Sequence, residues 1–233
     1  MLRISIAAVA ALALASQALA ADAPALPEAV VTTSSSTDWS GFYAGVVGTA
    51  GVVTSTHDDV GYWMHGATLD QDFGAYGIGG TAGFNLQSGS IVYGLEADIS
   101  WLGGSESVYR WDDADYETGI DALATLRARL GFTVDNVLFY GTAGLAGASL
   151  NYDWYEDEGE FTWNSDDWAF GYAVGAGVEY AIDDSISFKA EYLFTAVEGD
   201  TAYMSGPYLG DEEFPFDLSA TASLFRAGVN FKF

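Results

Sequence analysis

The sequence predicts an all-β protein, an eight-stranded antiparallel up-and-down transmembrane β-barrel. Three observations carry that prediction. Apolar residues recur with a period of two, in blocks at least as long as the ~9–11 residues that a tilted membrane strand needs. The connections between blocks alternate short and long along the whole chain, which is the pattern of an up-and-down barrel with short turns at one rim and long loops at the other. Half of the residues are hydrophobic and 28 are glycine, yet the net charge is −26, because the acids gather between the apolar blocks. No run reaches the ~18 consecutive apolar residues of a membrane-spanning helix.

The chain opens with the features of an export signal. Arg3 supplies the charge of a short n-region, an apolar run follows from Ile4 to Leu14, and Ala18-Leu19-Ala20 offers the small-x-small pattern at which such signals are cut. Residues 1–20 therefore read as a signal peptide cleaved after Ala20, and residues 21–38, rich in Ala, Pro, Ser and Thr, as a flexible periplasmic lead. The barrel occupies residues 39–233. The chain has no cysteine, so its stability is expected from a closed hydrogen-bonded wall rather than from disulfides.

Eight strands follow in order: Ser40–Thr54, Ala75–Gln87, Ser90–Leu102, Gly119–Val134, Val137–Leu150, Asp167–Ile182, Ser185–Glu198 and Ser219–Phe233. Gln87-Ser88-Gly89-Ser90, Asp135-Asn136 and Asp183-Asp184 are turn chemistry. Ser55–Gly74, Gly103–Thr118, Asn151–Asp166 and Gly199–Leu218 are long loops. An even strand number puts both termini in the periplasm and the long loops outside the cell. With Phe233 closing the last strand, no second, peptidoglycan-binding domain is expected.

Alternation assigns faces. In Gly119–Val134 the even positions, from Ile120 to Val134, are apolar, while Asp121, Thr125, Arg127, Arg129 and Thr133 fall on the odd side. In Asp167–Ile182 the even set runs Trp168, Phe170, Tyr172, Val174 and onward, and the odd set is glycine, alanine and Glu179. One face meets lipid and the other a narrow lumen. Ser40–Thr54 and Val137–Leu150 alternate less clearly, and their residues leave the faces unassigned. Tyr93 and Trp101 on one strand, and Trp168 and Tyr180 on another, are separated by roughly 20 and 30 Å of barrel height, which brackets the apolar band.

The charges inside that band are the candidate site. Arg127, Arg129, Lys189, Arg226 and Lys232 share the lumen phase with Glu96, Asp98, Asp121, Glu179 and Glu191. An eight-stranded barrel is wide enough only for side chains to fill it, and an enclosed charge without a partner costs several kcal/mol. Glu96, Asp98, Arg127, Arg129, Glu179, Lys189, Glu191 and Arg226 are thus expected to form a lumenal ion-pair network. A polar file that conducts ions or protons is the other reading of the same residues.

The long loops hold most of the remaining acids, among them Asp112, Asp113, Asp115, Glu156, Asp157, Glu158 and Glu160, interleaved with Tyr and Trp and with Arg110 as their one base. Solvated loops are one reading, and a surface for divalent cations or basic partners is the other. Nucleic acid is excluded as a partner by the charge. Asp113-x-Asp115-x-Glu117 begins like a calcium loop, but Thr118 stands where that loop needs glycine. No metal ligand set and no cofactor is assigned: His57 and His65, the two histidines, share a loop with Ser55 and nothing fixes a catalytic geometry. The glycine pairs Gly77-x-Gly79 and Gly175-x-Gly177 precede no helix and read as small lumen residues, not nucleotide fingerprints. The protein is expected not to be an enzyme.

Two segments resemble a known family. Trp39-Ser40-Gly41-Phe42-Tyr43-Ala44-Gly45 is similar to the opening of the barrel in the outer-membrane immunogenic proteins (surface antigens) of alphaproteobacteria. The end, Gly228-Val229-Asn230-Phe231-Lys232-Phe233, resembles the signal read by the outer-membrane assembly machinery, with Gly228, Phe231 and Phe233 in the matching places. The wider likeness is to OmpA-like eight-stranded domains. The resemblance implies a bacterial outer-membrane protein in contact with lipid and lipopolysaccharide, inserted by that machinery, with a structural and surface-antigen role. A small porin or transport protein passing ions or small solutes is the alternative function, and a surface binder of haem, metal or basic peptide is a third.

Overall fold

The computed structural model describes residues 37–59, 68–109, 114–156, 162–199, 202–204 and 214–233, all of which belong to the unit Ser34–Phe233. The expected signal peptide with Ala18 and Ala20, and the lead up to residue 36, lie outside the described residues. So do the side chains of His57 and His65 and the acidic stretches 110–113 and 157–161.

Ten strand segments build eight staves. They are β1 (Gly41–Asp59), β2 (Thr68–Ser88), β3 (Ile91–Gly103), β4 (Ser105–Tyr109), β5 (Ala114–Val134), β6 (Val137–Glu156), β7 (Thr162–Ala181), β8 (Ile186–Glu198), β9 (Ala202–Met204) and β10 (Phe214–Lys232). β4 continues β3 beyond Gly104 and pairs with β5 as β3 does; β9 pairs with β10 as β8 does. Every pairing is antiparallel, and β1 closes on β10 from Tyr43↔Lys232 to Asp59↔Phe216. The eight-stranded closed barrel expected from the sequence is therefore the fold, with no helix among the described residues.

The strands run further than their apolar blocks. β2 starts at Thr68, β5 at Ala114 and β10 at Phe214, and β6 reaches Glu156, so much of what reads as loop is sheet. The reason is that a ladder is held by backbone groups, and once two staves are paired the pairing continues in water with polar side chains on it. Twenty residues of a stave tilted at ~40° rise roughly 50 Å, about twice the ~25 Å apolar band of an outer-membrane barrel. That band is visible on the outer wall. Exposed apolar side chains run from Ile91 to Trp101 on β3 and from Trp168 to Ile182 at the end of β7, and give way to Thr54, Asp72, Asp121 and Glu198 at one rim. At the other rim the turns are tight: Asp135 and Gly89 take positive φ, and the Asp183 carboxylate accepts the N–H groups of Ser185 and Ile186, each at 2.8 Å.

One face assignment is corrected. Between Ile120 and Ala122 the register of β5 against β6 shifts by a β-bulge. The extra residue reverses the alternation above it, so Ile120 turns into the interior and Asp121, expected in the lumen, is exposed, where it accepts a bond from the Asn151 amide at 3.4 Å. The two unassigned strands are settled by the same burial. Tyr43, Val47, Thr49 and Val53 of β1, and Leu138, Tyr140, Thr142 and Ala146 of β6, point inward.

The interior is layered. Near the short turns, Trp39 packs with Val92, Leu138, Tyr140 and Ala181. Toward the long-strand rim a larger apolar cluster, including Phe73, Leu102, Leu123, Leu193 and Leu224, fills the barrel. Buried charges lie between the two. Glycine makes room where rings cross the lumen: a Cβ on Gly177 would sit 2.6 Å from the Tyr140 ring, and one on Gly83 would strike that of Tyr43.

Candidate functional site

Register brings the first opposite charges together. Glu96 of β3 lies directly across from Arg127 of β5, and Glu191 of β8 from Arg226 of β10. On an inward-facing pleat such neighbours are within reach. Arg127 Nη2 bonds Glu96 at 2.7 Å and Asp98 at 2.9 Å, while its Nη1 reaches Glu191 at 3.0 Å. Arg226 holds Asp98 at 2.8 Å and Glu191 at 3.1 Å. One layer nearer the turns, Arg129 pairs with Glu179, which also accepts bonds from Ser187 and from Asn230 Nδ2. Lys189 Nζ lies 3.0 Å from both oxygens of Glu96.

Neutral groups complete the cage. The Tyr43 hydroxyl donates to Glu96 at 2.8 Å, Tyr140 to Glu191 at 3.2 Å, and Thr125 to Asp98 at 2.6 Å. The Arg129 guanidinium lies 3.8 Å from the Tyr140 ring centroid, a stacking that a planar cation favours. Among the described residues the buried charges are four bases and four carboxylates, so the network is neutral at the centre of the barrel. Each carboxylate is held by at least one cation and one hydroxyl or amide, the condition under which buried charge is tolerated. No group of three or more described side chains is arranged to hold a metal ion.

A closed antiparallel barrel with an apolar belt and a side-chain-filled lumen has a counterpart among known families. Residues 6–233 match the family model of the outer membrane protein β-barrel domain. The chain belongs to that family. It is 30% identical to the 31 kDa outer-membrane immunogenic protein of Brucella melitensis over 242 aligned positions, covering 94% of this chain and 95% of that one. It is 34% identical to the 22 kDa outer membrane protein of Rhizobium leguminosarum over 166 positions, 67% of this chain and 64% of the relative. The chain thus spans a little under two thirds of the Rhizobium protein's length. Among solved structures, the outer membrane protein OprG of Pseudomonas aeruginosa superposes with a TM-score of 0.54 at 15% identity, covering 83% of this chain and 96% of that one. The outer membrane protease OmpT of Escherichia coli does so with 0.51 at 12% identity, covering 88% and 99%. Both likenesses show the fold. This outer-membrane barrel resides in the bacterial outer membrane, and the kinship to immunogenic outer-membrane proteins read from its two ends holds.

The structure places the eight residues of the expected ion-pair network of this outer-membrane barrel inside the lumen, at the distances given above. Lys232, which shares their phase, is not part of the network: it sits at the mouth and donates to the Asp38 carbonyl. Of the terminal segment, Phe231 and Phe233 project outward from the last stave and Gly228 packs against Val46 and Val47 of β1. Sequence reasoning missed Tyr43, Tyr140, Thr125, Thr142, Ser187 and Asn230 as members of the network, and Trp39 as an interior residue. The signal for the tyrosines was the inward glycines Gly83 and Gly177, each of which leaves space for a ring from a neighbouring stave.

Proposed function

We propose that this protein is a non-enzymatic, non-conducting element of the outer membrane that holds its place in the envelope and displays its long-strand rim to the exterior, with both termini in the periplasm. The observation that carries this reading is the filling of the lumen by side chains, a neutral layer of ion pairs followed by a cluster of buried apolar residues. A permeating ion would have to part a neutral network in which every carboxylate is already paired, and then cross an apolar layer that includes Leu193 and Leu224. Desolvating a bare ion there costs far more than the network returns. The same pairing argues against catalysis: Glu96, Asp98, Glu179 and Glu191 are bound to arginine or lysine inside the barrel, so none is offered at a rim as a general acid or base.

The partners of such a protein are lipid and lipopolysaccharide along the apolar wall, the assembly machinery at the last strand, and divalent cations or basic partners at the acidic outer segments. Planar-bilayer recording of the purified protein tests the central claim. The expected result is a flat baseline, and stable stepwise conductance would return the protein to the porin reading.

A further inference from the structure

The four residues before β1 do more than enter the barrel. Trp39 is only 5% exposed and belongs to a buried apolar cluster with Val92 of β3, Leu138 and Tyr140 of β6 and Ala181 of β7. The backbone N–H of Trp39 donates to Gln87 Oε1 at 2.7 Å, and the Ser40 hydroxyl accepts the Gln87 backbone N–H at 3.1 Å, which ties the segment to the end of β2. Lys232 of β10 donates to the Asp38 carbonyl, and the Phe233 N–H donates to the Phe42 carbonyl at 3.0 Å, just past the segment. Thr37–Ser40 is therefore bonded to β2 and β10, shares a buried apolar cluster with residues of β3, β6 and β7, and lies beside the β1–β10 seam.

We propose that Thr37–Ser40 is a latch that closes after the first and last staves have paired and that governs how slowly the finished barrel opens. The geometry dictates the order. The receptacle for Trp39 is assembled from three staves, so it is complete only once the wall has curved into a cylinder, and Lys232 reaches Asp38 only when β10 lies beside β1. Contacts absent from the folding transition state raise the barrier to unfolding and leave the folding rate unchanged. To part the seam from this end, the indole must first be withdrawn from the lumen. The indole nitrogen has no hydrogen-bond partner among the described residues, so the ring acts through its shape and apolar area.

The test uses the protein refolded into detergent micelles, with unfolding followed after a jump into denaturant and refolding after dilution. Trp39→Ala is expected to unfold at least tenfold faster and to refold within twofold of the parent rate. Trp39→Phe should stay close to the parent in both, and Lys232→Met should speed unfolding by a smaller factor. An unchanged unfolding rate in Trp39→Ala would overturn the proposal. So would a refolding rate that falls as much as unfolding rises, or a Trp39→Ala protein that does not refold, since either would place the segment in the folding nucleus.

Discussion

Lys189 passes over its own cross-strand neighbour and binds a carboxylate on the far wall. Its register partner on β7 is Glu179, yet its Nζ lies 3.0 Å from both oxygens of Glu96 on β3. In the ring of eight staves β3 and β8 are diametrically opposite. Glu179 is left to Arg129. The lumen is thus cross-braced, with ion pairs running along the wall and across the bore.

Breaking that brace on one side leaves a buried cation without its partner. Glu96→Gln is expected to destabilise the refolded barrel by about 3–5 kcal/mol in a denaturant titration. Adding Lys189→Met should recover part of the loss, because the orphaned ammonium is gone. A double variant as unstable as the sum of the two singles would mean that the two groups do not interact.

The same Glu96→Gln variant should stay electrically silent in a planar bilayer. Ion pairs occupy the middle of the lumen, but Leu193, Leu224 and their neighbours fill the layer above it. Conductance appearing in this variant alone would show that the charges, not the apolar layer, are the seal.

Gly177 is expected not to accept a side chain. A methyl group there meets the ring of Tyr140, and overpacking of this kind costs about 1–3 kcal/mol. Gly177→Ala should therefore lower the denaturation midpoint of the parent, and lower it less in a Tyr140→Leu background. Equal losses in both backgrounds would locate the strain in the backbone of β8 instead.

Asp38 gives the short-turn end of the barrel an acid dependence. Its carboxylate accepts the Ser40 N–H at 2.9 Å; that bond, then the Ser40 hydroxyl, outweigh the opposing effect of burial and, with a weaker pull from the Lys232 charge, hold its pKa below the usual carboxylate range. A folded-state pKa below the unfolded one means that the unfolded chain takes up the proton first as the pH falls. The contribution is therefore complete above the usual carboxylate range and is lost as the pH drops through the lowered value. The parent should open faster across that window, and Asp38→Asn should show less of this acceleration. Superimposable rate profiles for the two would refute the assignment.

Removing Phe233 should block insertion in cells while sparing refolding in detergent. Phe231 and Phe233 project to the same outer face of the last stave, with Lys232 between them turned to the mouth. They form an aromatic pair at the interface where the incoming strand would be recognised. Periplasmic accumulation and degradation of the deletion variant are expected, and normal outer-membrane levels would show that the signal lies elsewhere.

Much of this is written in the sequence alone. The period of two, the turn residues at Asp135 and Asp183, and the phase shared by Arg127, Arg129, Glu96 and Glu191 are local properties, readable from a strand and its neighbours. They determined the strand number and most of the charges that face inward. The tertiary structure decided the rest. Which carboxylate Lys189 takes depends on the bore of the closed barrel, because a partner on the opposite wall is set by diameter and stagger rather than by spacing along the chain. The outward turn of Asp121 depends on one bulged residue, which inverts the pattern above it without a mark in the alternation. Trp39 reads as the last residue before a strand; it becomes an interior residue only because three distant staves converge at one mouth and leave an apolar space of its size.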